Sequence, residues 1–492
     1  MKKIIGILIS FIIIIISCQS PQKKETSTLE QSKKLIDSYV KETIAKGNIN
    51  SIAIATYKNG NIHKSYFGPI DKGSQNFAND STLYEIASIS KVFLGSLVAR
   101  AILEKKITLN DDIRIYLKGD YSNLEFEGTP IIIKNLLTHT LGFANKTPKG
   151  FDDFNKKARS GYYEDNPVIF DYNMNDFLTE LKSSTLNKKP GTYYEYNSVG
   201  PELLAYILEQ VYDKSYAVLL NDFFHELKMD HSYLNDYSAI RKHIANGYKG
   251  EQLMPLERNP LLGGTAGIVA SLPDLIKFMK FQLESNDPLI KESTRKLFEN
   301  DDDDKLGYLW DVDVAEEEGF YYVKSGTANG IESIMLICPD TNYGLILIVN
   351  NTSDKASNDW VNLYYKIESD LIKYPRLNLS SLLKEKFITD TDEAIKEYKE
   401  SIKDTKKYYC NPGDLNQFGY QLFANNKPKG ALKVFKLLVS EFPNNSNAHD
   451  SLGEAYFRNK DYKNALISYE KSLELNPNNE NAKQYITKIK AL

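Results

Sequence analysis

The chain is expected to fold as an α+β protein, an antiparallel sheet flanked by helices with an all-helical lobe beside it, followed by a separate all-α repeat region. Three observations predict this. Short apolar strand-like runs bracket a long helical stretch, three polar motifs recur in a fixed order between those runs, and residues after about Pro375 repeat with a period of 34. At 492 residues and 42% hydrophobic content the chain can build more than one sizeable core.

From the N-terminus, Met1-Lys2-Lys3 precedes an apolar run from Ile4 to Ile16, and Ser17-Cys18 follows it. A basic start, a short apolar stretch and a cysteine directly after it resemble a bacterial lipoprotein signal, with residues 1–17 removed and Cys18 the lipidated first residue. The run is short for a membrane span, which needs about 20 residues. Residues 18–31, polar and holding Pro21, read as a tether. Such a signal would place the protein in the bacterial cell envelope, held to a membrane by its lipid and facing the periplasm. A formal net charge of −4 gives no reason to expect a nucleic-acid partner. Beyond Cys18 the cysteines are Cys338 and Cys410, which fall in different expected domains, so neither a disulfide framework nor a cysteine-based metal site is indicated.

Residues 32–373 form the expected catalytic domain. Strands are expected at Ser51 to Tyr57, Ile62 to Tyr66, Tyr308 to Val314, Phe320 to Lys324, Glu332 to Ile337 and Leu345 to Val349, with a helical insertion from Ile131 to Leu227 and a closing helix from Ser357 to Ile372. Ser88-Ile89-Ser90-Lys91 stands between the strand-like run Ser81 to Ala87 and the apolar-periodic stretch Val92 to Lys105, so Ser88 is expected to open a buried helix. A spacing of three puts Ser88 and Lys91 on one helical face, with the hydroxyl near free backbone N–H groups. Ser-x-x-Lys also begins at Ser20, Ser38, Ser293, Ser381 and Ser468, and Ser88 stands out by its surroundings and by the two motifs that follow it, Tyr196-Asn197-Ser198 and Lys324-Ser325-Gly326.

A serine hydroxyl needs a base within hydrogen-bond reach to act as a nucleophile at neutral pH. Tyr196 could serve as a phenolate if its hydroxyl, ordinarily titrating near 10, were brought toward neutrality, a change of about 4 kcal/mol. A cation ~4 Å away supplies about that much at an effective dielectric near 20, and Lys91 and Lys324 are the candidate cations. A neutral Lys91 as base, with Tyr196 relaying the proton to the leaving group, is the alternative. Lys324-Ser325-Gly326-Thr327 reads as a sheet edge facing the cleft, with Gly326 leaving room for a substrate backbone. His139 is expected inside an apolar helix as a structural hydrogen-bonding residue. The acidic run Asp301 to Asp304 lacks calcium-loop spacing, and no metal or other cofactor is implied.

At these motifs the chain resembles the class C β-lactamase and D-alanyl-D-alanine carboxypeptidase family of serine hydrolases, over roughly Leu35 to Leu371. Collinear support comes from Ile107 to Asp112, Leu136 to Gly142, Pro190-Gly191, Gly264 to Ser271 leading into Asp274, and Cys338-Pro339-Asp340. The resemblance implies a β-lactamase/transpeptidase-like fold with Ser88, Lys91, Tyr196 and Lys324 as catalytic residues. It also implies that Ser198, Ser325, Gly326 and Thr327 line the substrate and oxyanion side, with the backbone N–H groups of Ser88 and Thr327 forming the oxyanion hole. In that family the third position of the tyrosine motif is usually Asn; here it is Ser198, and Asn197 has the wrong parity. One short hydroxyl replaces an amide, so weaker recognition of a substrate's side-chain amide is expected, with the nucleophile machinery intact.

Residues 374–492 form the second region. Gly419 and Gly453, Ala431 and Ala465, Phe435 and Tyr469, and Pro443 and Pro477 are each 34 residues apart, a spacing that resembles tetratricopeptide repeats. Clear repeats are expected at 413–446 and 447–480, a cap at 481–492, and a degenerate helix pair from Ser381 to Lys406. Gly and Ala would allow close helix contact and the aromatics would fill the space between helices. The sequence as a whole reads as a membrane-anchored serine hydrolase forming an acyl-enzyme on Ser88 with a small-molecule or peptide substrate, which the sequence leaves open among β-lactam, D-amino-acid peptide and ester. The repeats offer a groove to a protein partner or brace the hydrolase. The competing reading is a non-catalytic binding protein, against which stands the presence of all four of Ser88, Lys91, Tyr196 and Lys324.

Overall fold

Strands β1 (Ile52–Lys58) and β2 (Asn61–Phe67) form a hairpin at one side of an eight-stranded antiparallel sheet. The computed structural model describes residues 21–143, 150–151, 153, 172–235, 239–256, 261–315 and 318–491. Three further strands, β3 (Leu83–Glu85), β4 (Ser232–Leu234) and β5 (Ile268–Ser271), make a small sheet with β5 in the middle. The main sheet continues through β6 (Phe298–Glu299), β7 (Lys305–Leu306), β8 (Asp311–Ala315), β9 (Gly319–Ala328), β10 (Ile331–Cys338) and β11 (Tyr343–Val349), in the order β6-β7-β8-β9-β10-β11-β1-β2. β1, β10 and β11 are buried along their whole lengths, which is why they read as continuous apolar runs rather than alternating ones.

The helices described up to Lys373 include α1 (Pro21–Ala45), α2 (Ser90–Leu103), α3 (Ile133–Leu137), α4 (Met174–Leu181), α5 (Val199–Tyr212), α6 (Tyr216–Glu226), α7 (Leu272–Glu284), α8 (Pro288–Ser293) and α9 (Asp354–Lys373). α7 packs on β1, β10 and β11, and α2 packs against α5, α6 and α8. α2 is buried from Ser90 through Ala99, and α5 from Val199 through Leu208, so both are central helices and not amphipathic covers. α3, α4, α5 and α6 fall within the expected helical insertion; its stretch from 144 to 149 and most of 152 to 171 lie outside the described residues.

The chain divides into two compact units, one of Asp37–Ile372 and one of Lys373–Leu492 with the described residues up to Ile36. In the second, helices run Lys384–Thr389, Thr391–Ser401, Pro412–Ala424, Pro428–Glu441, Ser446–Arg458, Tyr462–Leu475 and Glu480–Lys490. A Cβ on Gly419 would stand 2.3 Å from the Phe435 ring and one on Gly453 2.9 Å from the Tyr469 ring, so the same small-against-aromatic contact recurs in both repeats. A second periodic device was not anticipated: Asn411, Asn445 and Asn479 each cap a helix by accepting a backbone N–H, and Asn426 and Lys460 each take a left-handed conformation in the turn between helices.

Two expectations need correction and one lies out of reach. The stretch read as a tether is helical over its described residues, from Pro21, and no glycine or further proline interrupts the run to Ala45. Ser88 does not open the long helix: Ala87–Ile89 is a single 3-10 turn, with Ala87 at φ +45°, and α2 begins at Ser90. The left-handed Ala87 lets the chain leave β3 and turn sharply into a helix, where a plain N-cap would extend it. Met1 to Ser17 and Cys18 lie outside the described residues.

Candidate active site

The turn that carries Ser88 is pinned from β5. Ile86 N donates to Ile268 O at 3.1 Å, and Ile268 N donates to Ser90 Oγ at 3.2 Å. Lys91, in the first turn of α2 and fully buried, points its ammonium back to Ser88 Oγ at 3.1 Å and donates to Thr265 O at 2.7 Å. Tyr196, just before α5, donates to the same Ser88 Oγ at 2.8 Å. Lys91, one turn on from Ser88, and Tyr196, 108 residues away, thus meet on one oxygen, with both candidate bases in proton-transfer range.

Lys324 completes the charge arrangement. Lys91 Nζ and Lys324 Nζ lie 5.1 and 5.3 Å from the centre of the Tyr196 ring. Burial opposes ionisation of Tyr196, but the two ammonium groups, together with its hydrogen bonding to Lys91 and Ser88, outweigh it and bring the hydroxyl down to about 8. Burial also pushes the Lys91 ammonium down, against the pull of Tyr196 and Glu202, while Lys324 pushes it further the same way. Tyr196 nevertheless keeps 41% of its surface exposed, so a substrate can reach it.

The Lys324-Ser325-Gly326-Thr327 segment is an edge in a more specific sense than expected. β9 is interior to the sheet, but β8 pairs with it only from Gly319 to Val323, whereas β10 pairs with it through Ala328. Among the described residues no strand covers Lys324–Ala328 on the β8 side, and the Ala87–Ile89 turn packs there instead. Ser325 and Thr327 are exposed while Lys324 and Gly326 are buried. Gly326 makes room for the nucleophile's own backbone and not, as expected, for a substrate's: a Cβ there would stand 2.3 Å from Ile86 O and 3.1 Å from Ser88 N. That contact brings Ser88 N beside the strand that carries Thr327.

Ser198 sits at the N-cap position of α5 without a side-chain cap, and its carbonyl accepts from Thr265 Oγ1 at 3.0 Å. Asn197 is buried and braces the turn, donating to Glu195 O at 2.8 Å and accepting from Gly200 N at 3.0 Å. Its amide is committed to the backbone, so it does not stand in for the missing third-position Asn. His139 is not inside a helix: it follows α3 at φ +54°, with Nδ1 accepting from Asn197 N at 3.4 Å and its ring 4.6 Å from that of Tyr196. Burial, and then Lys324 and Lys91, hold its pKa well below the ordinary value, so the imidazole is neutral.

Three contributors escaped the sequence reading. Glu202, fully buried on α5, accepts from Thr265 N at 3.1 Å and Leu262 N at 3.2 Å, fixing the loop whose Thr265 carbonyl holds Lys91. An isolated carboxylate in the apolar run Val199 to Leu208 was the available signal. Thr265 lies in the stretch Gly264 to Ser271, where nothing local marks its carbonyl as the partner of Lys91. Asp311, at the start of β8, pairs with Lys324 at 3.2 Å.

Comparison with known proteins follows the same outline. A family model described as Beta-lactamase matches residues 36–364, and one described as Tetratricopeptide repeat matches 446–479. "Protein flp" of Staphylococcus aureus strain MRSA252 is 26% identical over 334 residues, 66% of this chain and 64% of that protein, so the chain spans just under two thirds of that relative's length. A Beta-lactamase of Providencia stuartii is 21% identical over 380 residues, 69% of this chain and 90% of the relative. Among solved structures, a beta-lactamase/D-alanine carboxypeptidase from Yersinia pestis complexed with citrate aligns at TM-score 0.58 and 20% identity, covering 68% of this chain and 98% of the other. An octameric penicillin-binding protein homologue from Pyrococcus abyssi aligns at TM-score 0.58 and 19% identity, covering 69% and 78%.

Proposed function

Because the chain belongs to the beta-lactamase family, we propose that it is a membrane-anchored serine hydrolase that forms an acyl-enzyme on Ser88 with an amide or ester substrate, a class that takes in D-amino-acid peptides, esters and β-lactams. The carrying observation is the convergence of Lys91 Nζ and Tyr196 OH on Ser88 Oγ. In this reading the Tyr196 phenolate, stabilised by Lys91 and Lys324, takes the Ser88 proton as Oγ attacks the scissile carbonyl carbon. The carbonyl oxygen, now an anion, is held by the backbone N–H groups of Ser88 and Thr327. Collapse breaks the bond to the leaving group, which receives the proton from Tyr196. Water then attacks the ester on Ser88 with Tyr196 again taking a proton, and release of the acid restores the hydroxyl.

A second base assignment has its own support: Lys91 is fully buried, and burial favours its neutral amine. In that version Lys91 takes the Ser88 proton and Tyr196 relays it. Outside the catalytic unit, the family of the 446–479 repeat supports binding of a protein partner. The apolar run ending at Cys18 supports a lipid anchor facing the periplasm, and Cys18→Ser should release the protein from the membrane fraction or leave its signal uncut. Unchanged fractionation and lipid labelling would remove the anchor from the account.

The catalytic reading is tested with a nitrophenyl ester and the soluble form beginning at Gln19. A burst of nitrophenol stoichiometric with enzyme is expected, and its loss in Ser88→Ala. Turnover without dependence on Ser88, or none with any ester, amide or β-lactam offered, would leave the non-catalytic binding protein as the better description.

A further inference from the structure

Lys324 and Asp311 present an uneven pair to the cleft. The Lys324 side chain is 6% exposed and the Asp311 side chain 44%, with Nζ and Oδ2 3.2 Å apart. The cation is therefore turned inward, where it lies 5.3 Å from the centre of the Tyr196 ring, and the carboxylate is the end of the pair that meets solvent. Position explains this: Asp311 pairs with Val323, the last β9 residue that β8 covers, so its side chain stands where the free edge begins. Burial raises the pKa of Tyr194, two residues before Tyr196, and the charges of Asp311, Tyr196 and Asp304 raise it further, so negative charge prevails around that side chain. The cations of the site do not offset this at the surface, since Lys91 is fully buried and held by Ser88 and Thr265.

We propose that Asp311 sets the substrate class of the Ser88 site: it occupies Lys324 and disfavours substrates with a carboxylate on the leaving side of the scissile bond, favouring neutral or ammonium-bearing esters and amides. This rests on the reading of Ser88 as the nucleophile. A substrate carboxylate approaching Lys324 must either displace Asp311 or sit against it, and both oppose binding, whereas an ammonium gains a partner. Peptides ending in a free carboxylate and penicillin-type β-lactams carry such a group, so the inference narrows the substrates to esters and amides without it.

The test uses three esters with one acyl half and leaving alcohols bearing a carboxylate, a carboxamide or an ammonium group, and measures Ser88 acylation rates in wild type and Asp311→Asn. Wild type should acylate slowest with the carboxylate ester. The substitution should raise the carboxylate-to-carboxamide ratio by about sixfold, the effect of one unit charge ~4 Å away in water, and lower the ammonium-to-carboxamide ratio. Ratios cancel any change in the shared machinery. Should the variant fail to fold, added salt gives the same information in wild type, since screening should bring the three rates together. Acylation with the carboxylate ester fastest, or ratios unmoved by both Asn and salt, overturns the role of Asp311 alone. No acylation by any of the three overturns the Ser88 reading as well.

Discussion

Gly326→Ala adds a single methyl group where the nucleophile turn and the sheet touch. Its Cβ would stand 2.3 Å from Ile86 O and 3.1 Å from Ser88 N, and the first of these is about 1 Å inside ordinary contact. Neither side yields freely. β9 is held by pairing of Gly326 with Ser333, and the turn is held by the bond from Ile86 N to Ile268 O. Overpacking of this kind costs about 1–3 kcal/mol of stability, and a shift of the order of 1 Å in a reacting group lowers rate by about 100-fold. We therefore expect a folded, somewhat less stable protein whose burst rate with a nitrophenyl ester falls by about two orders of magnitude. Stopped-flow burst kinetics beside a thermal melt is the assay. A burst rate within about twofold of wild type, with the melt unchanged, would refute the claim that the glycine is there to seat Ser88 N.

Further outcomes follow from the same geometry. With Tyr196 as base, kcat/KM for a neutral ester should rise with pH and level off above about 8, since the phenolate is the active form. Lys324→Met should move that midpoint upward toward the ordinary tyrosine value, because one of the two cations that lower it is gone; an unmoved midpoint would show that Lys324 does not tune the base. Glu202→Gln separates the two base assignments. Its carboxylate raises the Lys91 pKa, so removing that charge should carry the pH limb downward if Lys91 is the base, and unchanged or upward if Tyr196 is, as a weakened Lys91 charge stabilises the phenolate less. In the repeats, Gly419→Ala should lower thermal stability more than Gly453→Ala, because the added Cβ meets its aromatic ring at 2.3 Å in one case and 2.9 Å in the other. The reverse order, or stabilisation by both, would contradict the packing described.

The order of the three motifs carried most of what could be read without coordinates. Strands β1, β9, β10 and β11 were legible because each is an apolar or β-branched run bounded by turns, and the 34-residue register of the repeats needed only subtraction. What stayed hidden depended on contacts remote in sequence. β3 lies within the strand-like run Ser81 to Ala87, but β4 is only three residues long and β5, the middle strand, lies inside a glycine-rich motif, so pairing rather than periodicity defines that sheet. Ala87 is an ordinary residue forced left-handed by the strand-to-helix turn, which no local propensity announces. Gly326 is conspicuous by type, but the backbone it makes room for lies on a turn more than two hundred residues upstream. Asp311 reads as one more alternating strand residue until its partner is seen. The same 34-residue spacing relates Asn411, Asn445 and Asn479, whose capping role shows only once the helix boundaries are fixed.

The central claim is that Ser88 Oγ is the nucleophile of this chain. Intact-mass analysis after treatment with a serine-directed phosphonate, followed by peptide mapping, tests it most directly. One phosphonate per chain, mapped to Ser88 and lost in Ser88→Ala, is the predicted result. An unmodified mass, or an adduct mapped to another residue, would contradict it.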